Sequence, residues 1–473
     1  MSEACPPLFS TLRLEAASAL SLQEQVYRRI REAVTEGRLA AGERLPSTRS
    51  LAAQLNVSRG TVDAAYGRLA GDGVLLGRGA AGTVVAPGLQ PHRPAARPAT
   101  PASSAYVLPD DYLWPFRGGM PALDLFPGAQ WASLARQAAR RLDASRLCYP
   151  DPRGLPELRS AIAAYLLVSR GIACDPAQVL VTAGYQAALQ LVAGLVAQAG
   201  DEVWFEDPGY RFARRALVAA GMRLAMVPVD ASGMDIAWAK RHHSAARLAV
   251  VTPGHQSPLG MALSPQRRGE LLDWAEAADS WVLEDDYDSE FHYAGRKPAA
   301  LKSIDRHDRV FHATSFSKTL FPGLRLGCLV VPEAWIEPAT AACELAHRGH
   351  AVQEQATLAA FMADGHYARH LRRMRLRYAE RSAALTRALQ ERFGQRIELT
   401  APAGGLTLVA RFPGHADDTE LVSRARAEGL APSALSAHAT THSAGQGLLI
   451  GFTHVKPEQA GEMAARLDKA IDR

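Results

Sequence analysis

The stretch Thr314-Ser315-Phe316-Ser317-Lys318-Thr319-Leu320-Phe321-Pro322-Gly323-Leu324-Arg325 decides how the rest of the chain is read. It follows a short β-prone run at 309–314, surrounds one lysine with hydroxyls, and turns through Pro322 and Gly323 to an arginine. Hydroxyls and backbone amides in a glycine-bearing loop at a strand end suit a bound anion. A lysine drawn out of water there, near positive charge, has a depressed pKa and forms Schiff bases. The 473 residues include only six lysines: Lys240, Lys297, Lys302, Lys318, Lys456 and Lys469. Lys456 and Lys469 fall in an amphipathic C-terminal pattern. Lys240, Lys297 and Lys302 fall in polar, loop-like sequence. Those five are expected on the surface, and Lys318 is singled out.

On both sides of Lys318, strand and helix patterns alternate. Residues 155–169 read as helix and 179–182 as a buried strand, with a helix from Gln186. Residues 202–206 read as strand, with a helix at 211–220. Further β-rich runs are 224–228, 248–252, 281–285, 309–314 and 326–331. This order predicts an α/β domain with a mostly parallel sheet.

Lysine chemistry of this kind points to pyridoxal phosphate, whose site needs an acid for the ring nitrogen, phosphate donors and an aromatic face. Glu284-Asp285-Asp286-Tyr287 directly follows an apolar strand, where unpaired acids are costly and so mark a site. Asp285 suits the ring nitrogen and Tyr287 the ring hydroxyl, with Asp286 a rival to Asp285. Gly184-Tyr185-Gln186 lies between strand and helix, where helix-terminal amides bind phosphate. Tyr210, in Asp207-Pro208-Gly209-Tyr210, suits the ring face.

Residues 87–110 carry Pro87, Pro91, Pro94, Pro98, Pro101 and Pro109 without apolar periodicity, the mark of an extended linker. It divides a small unit, 18–86, from a large one, 111–473. In the small unit Leu22, Val26, Ile30 and Val34 recur at helical spacing behind Ser21. Ser47 opens a second helix, with Leu51 and Leu55 inward. Ser58 opens a third, with Val62, Tyr66 and Leu69 inward. Two short β runs, 74–76 and 83–85, follow among Gly73, Gly77, Gly79 and Gly82. The pattern is a winged helix-turn-helix. Its third helix presents Ser58, Arg59 and Thr61 to DNA, Arg44 and Arg49 flank the second helix, and Gly79 and Gly82 let the wing approach the backbone.

Composition fits this reading. Apolar residues are 48% and charged residues 21%, which excludes disordered and fibrous chains. The net charge of +5 permits nucleic-acid binding without requiring it. The longest mainly apolar run, 187–199, is too short to span a bilayer. The start MSEACPPLFS has no basic leader region, and the five scattered cysteines form no CxxC pair. A cytoplasmic protein with no metal site and no membrane partner is expected.

The segment GERLPSTRSLAAQLNVSRGTVDAAYGRLAGDGVLLGRGAAGTVVA, 42–86, resembles the GntR-type winged-helix DNA-binding domain. The resemblance implies that Arg49, Ser58, Arg59, Thr61 and Gly82 contact double-stranded operator DNA. The wing, Gly79-Ala80-Ala81-Gly82-Thr83, is one residue longer than the family's usual Gly-x-Gly-Thr. From about residue 115, YPDPRGLPELR, TAGYQAAL, EDPGY, EDDYDSEF and SFSKTLFPGLRLG resemble fold-type I aminotransferases, in the family's order. The whole chain resembles the MocR-type transcription regulators.

That resemblance implies the following roles. Lys318 carries pyridoxal 5'-phosphate as an aldimine, Asp285 meets the ring nitrogen, Tyr287 the ring oxygen and Tyr210 the ring face. Ser315, Arg325 and the amides of Gly184 and Tyr185 hold the phosphate, and Tyr149 reaches the phosphate of a neighbouring subunit in a head-to-tail homodimer. Two departures stand out. Ser257 replaces the asparagine of the aminotransferase Asn-Pro-Thr-Gly motif, within His255-Gln256-Ser257-Pro258-Leu259-Gly260. Leu449 stands where aminotransferases keep a carboxylate-binding arginine. Loss of that clamp weakens an α-amino acid by about 1.5–3 kcal/mol; Arg214, Arg215 and His454 are the candidate replacements. The expected function is a pyridoxal-phosphate-dependent transcription regulator sensing the cofactor or a small amine or amino-acid effector. The alternative is an aminotransferase carrying a DNA-binding domain.

Overall fold

Three serines start the three helices of the N-terminal unit. Ser21, Ser47 and Ser58 accept the backbone amides of Glu24, Ser50 and Thr61 at 3.2, 3.2 and 3.1 Å, so each side chain satisfies an amide that the helix leaves open. The structure is a computed structural model that describes residues 14–15, 18–79, 82–88, 111–293, 295, 297–400, 403–414 and 417–472. The wing-tip residues Ala80 and Ala81 and linker residues 89–110 lie outside the described residues. The chain divides into two units, Met1–Leu108 and Pro109–Arg473.

In the first unit α1 (Leu22–Thr35), α2 (Thr48–Leu55) and α3 (Arg59–Gly71) precede a hairpin of β1 (Leu75–Gly77) and β2 (Thr83–Val85). Asn56 ends α2 in the left-handed region, at φ 51°, and lets the chain turn sharply into α3. Val26, Ile30, Leu51, Val62, Leu69, Leu75 and Val85 are fully buried in one core. Leu22, expected inward, is exposed, because the apolar stripe of α1 begins only at its second turn.

The second unit opens with α4 (Gly128–Arg140) and α5 (Pro156–Arg170). Then come β3 (Val179–Thr182), α6 (Tyr185–Val196), β4 (Glu202–Asp207), α7 (Arg211–Ala219), β5 (Arg223–Asp230), β6 (Gly233–Met234) and α8 (Ile236–His242). They lead to β7 (Leu248–Val251), α9 (Pro265–Ala277), β8 (Trp281–Asp286), β9 (Val310–Ser315) and β10 (Gly327–Val330). These strands form one sheet in the order β3-β10-β9-β8-β7-β4-β5-β6. The run from β9 to β5 is parallel, and β10 is antiparallel to both its neighbours. The parallel strands read as continuous apolar runs because both faces are covered. One face packs Val203, Leu248, Leu283 and Phe311 with α6; the other packs Val251, Val282 and Trp204, which stacks on Trp274 at 3.8 Å.

Helices α10 (Ile336–Ala346), α11 (Val352–Ala363) and α12 (His366–Phe393) follow. Strands β11 (Glu398–Thr400), β12 (Thr407–Arg411), β13 (Ser433–Ala434) and β14 (Leu448–Gly451), with α13 (Asp418–Ala427) and α14 (Ala460–Ile471), complete the unit. These four strands form an antiparallel sheet of order β11-β12-β14-β13.

Three lysines depart from expectation. Lys302 is mostly buried, with its amine 2.5 Å from Asp308, because that carboxylate compensates its charge. Lys297 is half-buried and paired with Glu290 at 3.3 Å. Lys456 precedes a short turn at Pro457–Gln459 and lies outside α14, which holds Lys469.

Candidate functional site

The register brings the carboxyl ends of β3, β4, β7, β8 and β9 to one edge of the sheet, since β3 runs in the same sense as β9. Open α/β sheets place their ligands at this edge. Five of the predicted motifs of the body sit there: Gly184 after β3, Tyr210 after β4, Ser257 after β7, Asp285 and Tyr287 at the end of β8, and Ser315 and Lys318 at the end of β9.

The Lys318 amine donates to the Gly119 carbonyl oxygen. Gly119 has φ +72°, and a Cβ there would lie 2.8 Å from Nζ, so only glycine leaves the amine its place. Burial pushes the Lys318 pKa down, Asp288 and Asp285 pull it up, and Arg117 pushes it down again; the net direction is down.

The acidic run separates into distinct roles. Glu284 accepts the amides of Leu301 and Lys302 at 2.7 and 3.0 Å and pairs with His312 at 2.9 Å. Asp286 is bound by Arg170 at 2.6 Å. Asp285 has no ion pair among the described residues, and its Oδ1 is buried without a hydrogen bond. Burial holds the Asp285 carboxyl well above the ordinary carboxylate range, with the Tyr185 hydroxyl pulling the other way.

At the opposite end of the site, Gly184 caps α6 at φ 91°, and Arg325 donates to the Ala183 carbonyl at 2.7 Å. A Cβ at Gly184 would lie 3.7 Å from the Arg325 guanidinium, so helix amides and guanidinium converge on one point. The Ser315 hydroxyl donates to Ser317 Oγ at 2.9 Å. The half-buried Tyr210 ring packs 6.2 Å from that of Tyr185. Tyr149 is 78% exposed, beneath the Arg348 guanidinium at 4.7 Å.

Three side chains of the site were not singled out by sequence reasoning. Glu206, the first residue of EDPGY, is buried; it accepts the Thr252 hydroxyl at 2.5 Å, and the Ser257 amide donates to that same hydroxyl at 3.0 Å. His255 contacts both Tyr287 and Asp288. Asp288 closes the acidic run. Their motifs had been quoted, so the signal was present; what was missing was the pairing across the sheet.

Burial pushes Glu206 up to about 7 from the ordinary 4.5, against hydrogen bonds from Thr252 and Gln256 that lower it. The folded protein therefore binds this proton more tightly than the unfolded chain. The contribution to stability falls as pH rises from 4.5 to about 7. Denaturant melts of cofactor-free protein at several pH values in that window are expected to show this decline, and Glu206→Gln to flatten it.

Leu449 is 5% exposed and packs with Val409 and Leu435. Arg214 bonds the His438 carbonyl at 3.4 Å, and His454 lies 2.9 Å from the Pro121 carbonyl oxygen. In the N-terminal unit Arg44, Arg49, Ser58 and Arg59 are exposed, and Thr61 is half-buried with its hydroxyl 2.9 Å from that of Ser58. Arg44 lies over Gly82, where a Cβ would be 3.0 Å from its Nε.

Residues 22–85 match the family described as bacterial regulatory proteins, gntR family, and residues 126–446 match aminotransferase class I and II. Over 467 residues the chain is 35% identical to the "Probable rhizopine catabolism regulatory protein MocR" of Rhizobium meliloti, covering 95% of this chain and 94% of that one. Over 431 residues it is 36% identical to the HTH-type transcriptional regulator TauR of Rhodobacter capsulatus, covering 87% and 88%. The chain belongs to the MocR-type transcription regulators. The body of this MocR-type regulator has the fold-type I aminotransferase architecture. The kynurenine aminotransferase of Pyrococcus horikoshii, solved in complex with PMP, is 25% identical, with a TM-score of 0.69 over 76% of this chain and 90% of that one. No described helix of the regulator is long and apolar enough to cross a membrane.

Proposed function

We propose that this MocR-type regulator holds pyridoxal 5'-phosphate at Lys318 and changes its affinity for operator DNA when a small amine engages the same site. The observation that carries the reading is the orphaned Oδ1 of Asp285, buried and without a cation. Such a group is costly alone and is satisfied by a protonated ring nitrogen. When bound, pyridoxal phosphate supplies an aldehyde carbon that exchanges the lysine nitrogen for that of an amine.

The other residues present fit the group. Lys318 offers an amine with a lowered pKa, hence a larger nucleophilic fraction near neutrality. Tyr287 and Ser257 would hold the ring oxygen, and Tyr210 would cover the ring face. Arg325, Ser315 and the amides of Gly184 and Tyr185 would hold the phosphate. Tyr149, exposed in one chain, suits a head-to-tail homodimer in which it completes the partner's phosphate site. Leu449 offers no charge to an α-carboxylate, which favours a cofactor or amine signal over a conventional amino acid substrate.

The N-terminal unit reads DNA through Arg59, Ser58 and Thr61 at the start of α3, Arg44 and Arg49 near α2, and Gly82 in the wing. Arg59→Ala is expected to cost about 1–3 kcal/mol of operator binding and to reduce its salt dependence, with folding unchanged. Mobility shifts at several salt concentrations check this; unchanged affinity and salt slope would remove Arg59 from the interface. The amine reading is tested by visible absorption of the holoprotein against a panel of amines. A lasting spectral change with one amine supports a sensor, and steady release of keto product makes the protein an enzyme.

A further inference from the structure

His255 and Asp288 have no part in the cofactor reading above, yet His255 contacts Tyr287, which does. His255 Nδ1 lies 2.9 Å from the Tyr287 hydroxyl and 3.0 and 3.1 Å from the two Asp288 oxygens. The imidazole is 12% exposed, the Asp288 carboxylate 3%. A carboxylate has no hydrogen to give, so the hydrogen between these groups belongs to Nδ1. A ring nitrogen carrying hydrogen has no lone pair to offer. Tyr287 therefore accepts at its oxygen, and its own hydrogen is left for another partner.

The pair is also enclosed by a built contact. Gly405, in the loop before β12, has φ +81°, and a Cβ there would lie 2.2 Å from His255 Cε1 and 2.9 Å from Asp288 Oδ2. Its amide donates to the Phe291 carbonyl at 2.7 Å, and its carbonyl accepts the Tyr293 hydroxyl at 2.6 Å. Backbone and side chain together thus hold the imidazole edge against the carboxylate. The other titratable groups that interact electrostatically with this cluster are Lys318, Asp285, Glu206 and Tyr293. Asp288 is the first of the charges that act on Lys318.

We propose that Asp288 and His255 are a positioning pair: Asp288 fixes the hydrogen on His255 Nδ1, and His255 thereby turns the Tyr287 hydroxyl into a donor toward the bound cofactor. This rests on the reading that pyridoxal phosphate sits at Lys318. Asp288→Asn keeps the shape but places an amide donor opposite Nδ1. The nitrogen then accepts, and the Tyr287 hydrogen is drawn back to it. His255→Gln removes the imidazole, and with it the Nδ1 hydrogen, and leaves Asp288 in place. Both changes withdraw support from a negative ring oxygen.

The experiment is a pH titration of the visible band of the lysine-bound cofactor in full-length holoprotein. In Asp288→Asn the lost negative charge beside Lys318 opposes a rise, so that midpoint is expected below the other variant's. In His255→Gln, which keeps that charge, the midpoint is expected to move to higher pH. The proton dissociation constant is expected to fall about three- to tenfold, the scale of one net hydrogen bond. Lys469→Ala, which removes an exposed amine of α14 paired with Glu428, serves as the control and should keep the wild-type midpoint. If Asp288→Asn does not fold, His255→Gln carries the test. A His255→Gln midpoint at the wild-type value, with the cofactor still on Lys318, would overturn the pair alone. A wild-type protein with no lysine-bound band would overturn the cofactor reading and the pair with it.

Discussion

Lys318→Ala protein is expected to show none of the visible band of lysine-bound pyridoxal phosphate, at any cofactor concentration that saturates the wild type. The loss should be complete because no other lysine is placed to substitute. Lys297 is paired with Glu290, Lys302 with Asp305 and Asp308, and Lys469 with Glu428. Lys240 is exposed on α8, and Lys456 is exposed as well. Only the Lys318 amine combines a place at the strand-end edge with a pKa lowered by burial. Borohydride reduction of wild-type holoprotein, followed by peptide mapping, should find the cofactor's mass on the peptide containing Lys318. Reduction onto another lysine, or an unchanged band in Lys318→Ala, would contradict the assignment. The variant's operator affinity should no longer respond to amines, because the exchangeable nitrogen is gone.

Asp285→Asn should separate affinity from stability. The side chain keeps its size but loses its charge. A charged hydrogen bond to the ring nitrogen is worth about 1.5–3 kcal/mol, so cofactor affinity should fall by about ten- to a hundred-fold or more. In cofactor-free protein the direction reverses. Burial raises the Asp285 carboxyl pKa, so ionising it opposes folding as pH rises above the ordinary carboxylate range. The asparagine has no such penalty, and the apoprotein variant should melt higher at neutral pH. Asp286→Asn provides the contrast: it leaves Arg170 buried without its carboxylate, which costs about 3–5 kcal/mol in comparable buried pairs. A variant pair with these effects exchanged would assign the ring nitrogen to Asp286.

Several parts of this account were legible in the sequence. The burial of Lys318 at a strand end was legible because six lysines are few and this one lies just after an apolar strand among hydroxyls. The three helix starts were found because serine caps act locally. The sheet was found because both of its faces are covered, which makes its strands continuous apolar runs. What was not legible depends on distant partners. Adjacent carboxylates look alike until Arg170, 116 residues from Asp286, binds one of them. His255 and Asp288 are 33 residues apart, and only the neighbouring strands β7 and β8 bring their loops together. Lys302 reads as a surface residue because the compensating Asp308 comes close only through the local turn. Glu206 reads as a strand end, and its burial becomes apparent only when Thr252 from the next strand is placed against it.

The central claim joins a DNA-reading head to a cofactor-bearing body that senses a small molecule. The most direct test is operator binding by the full-length holoprotein, using DNA upstream of its own gene, measured with and without pyridoxal phosphate and across a panel of amines. The account predicts specific binding whose affinity changes with the cofactor or with one class of amine, and a Lys318→Ala protein that binds DNA but ignores the amine. An affinity that stays the same with every ligand, in a protein that steadily converts amines to keto products, would contradict it.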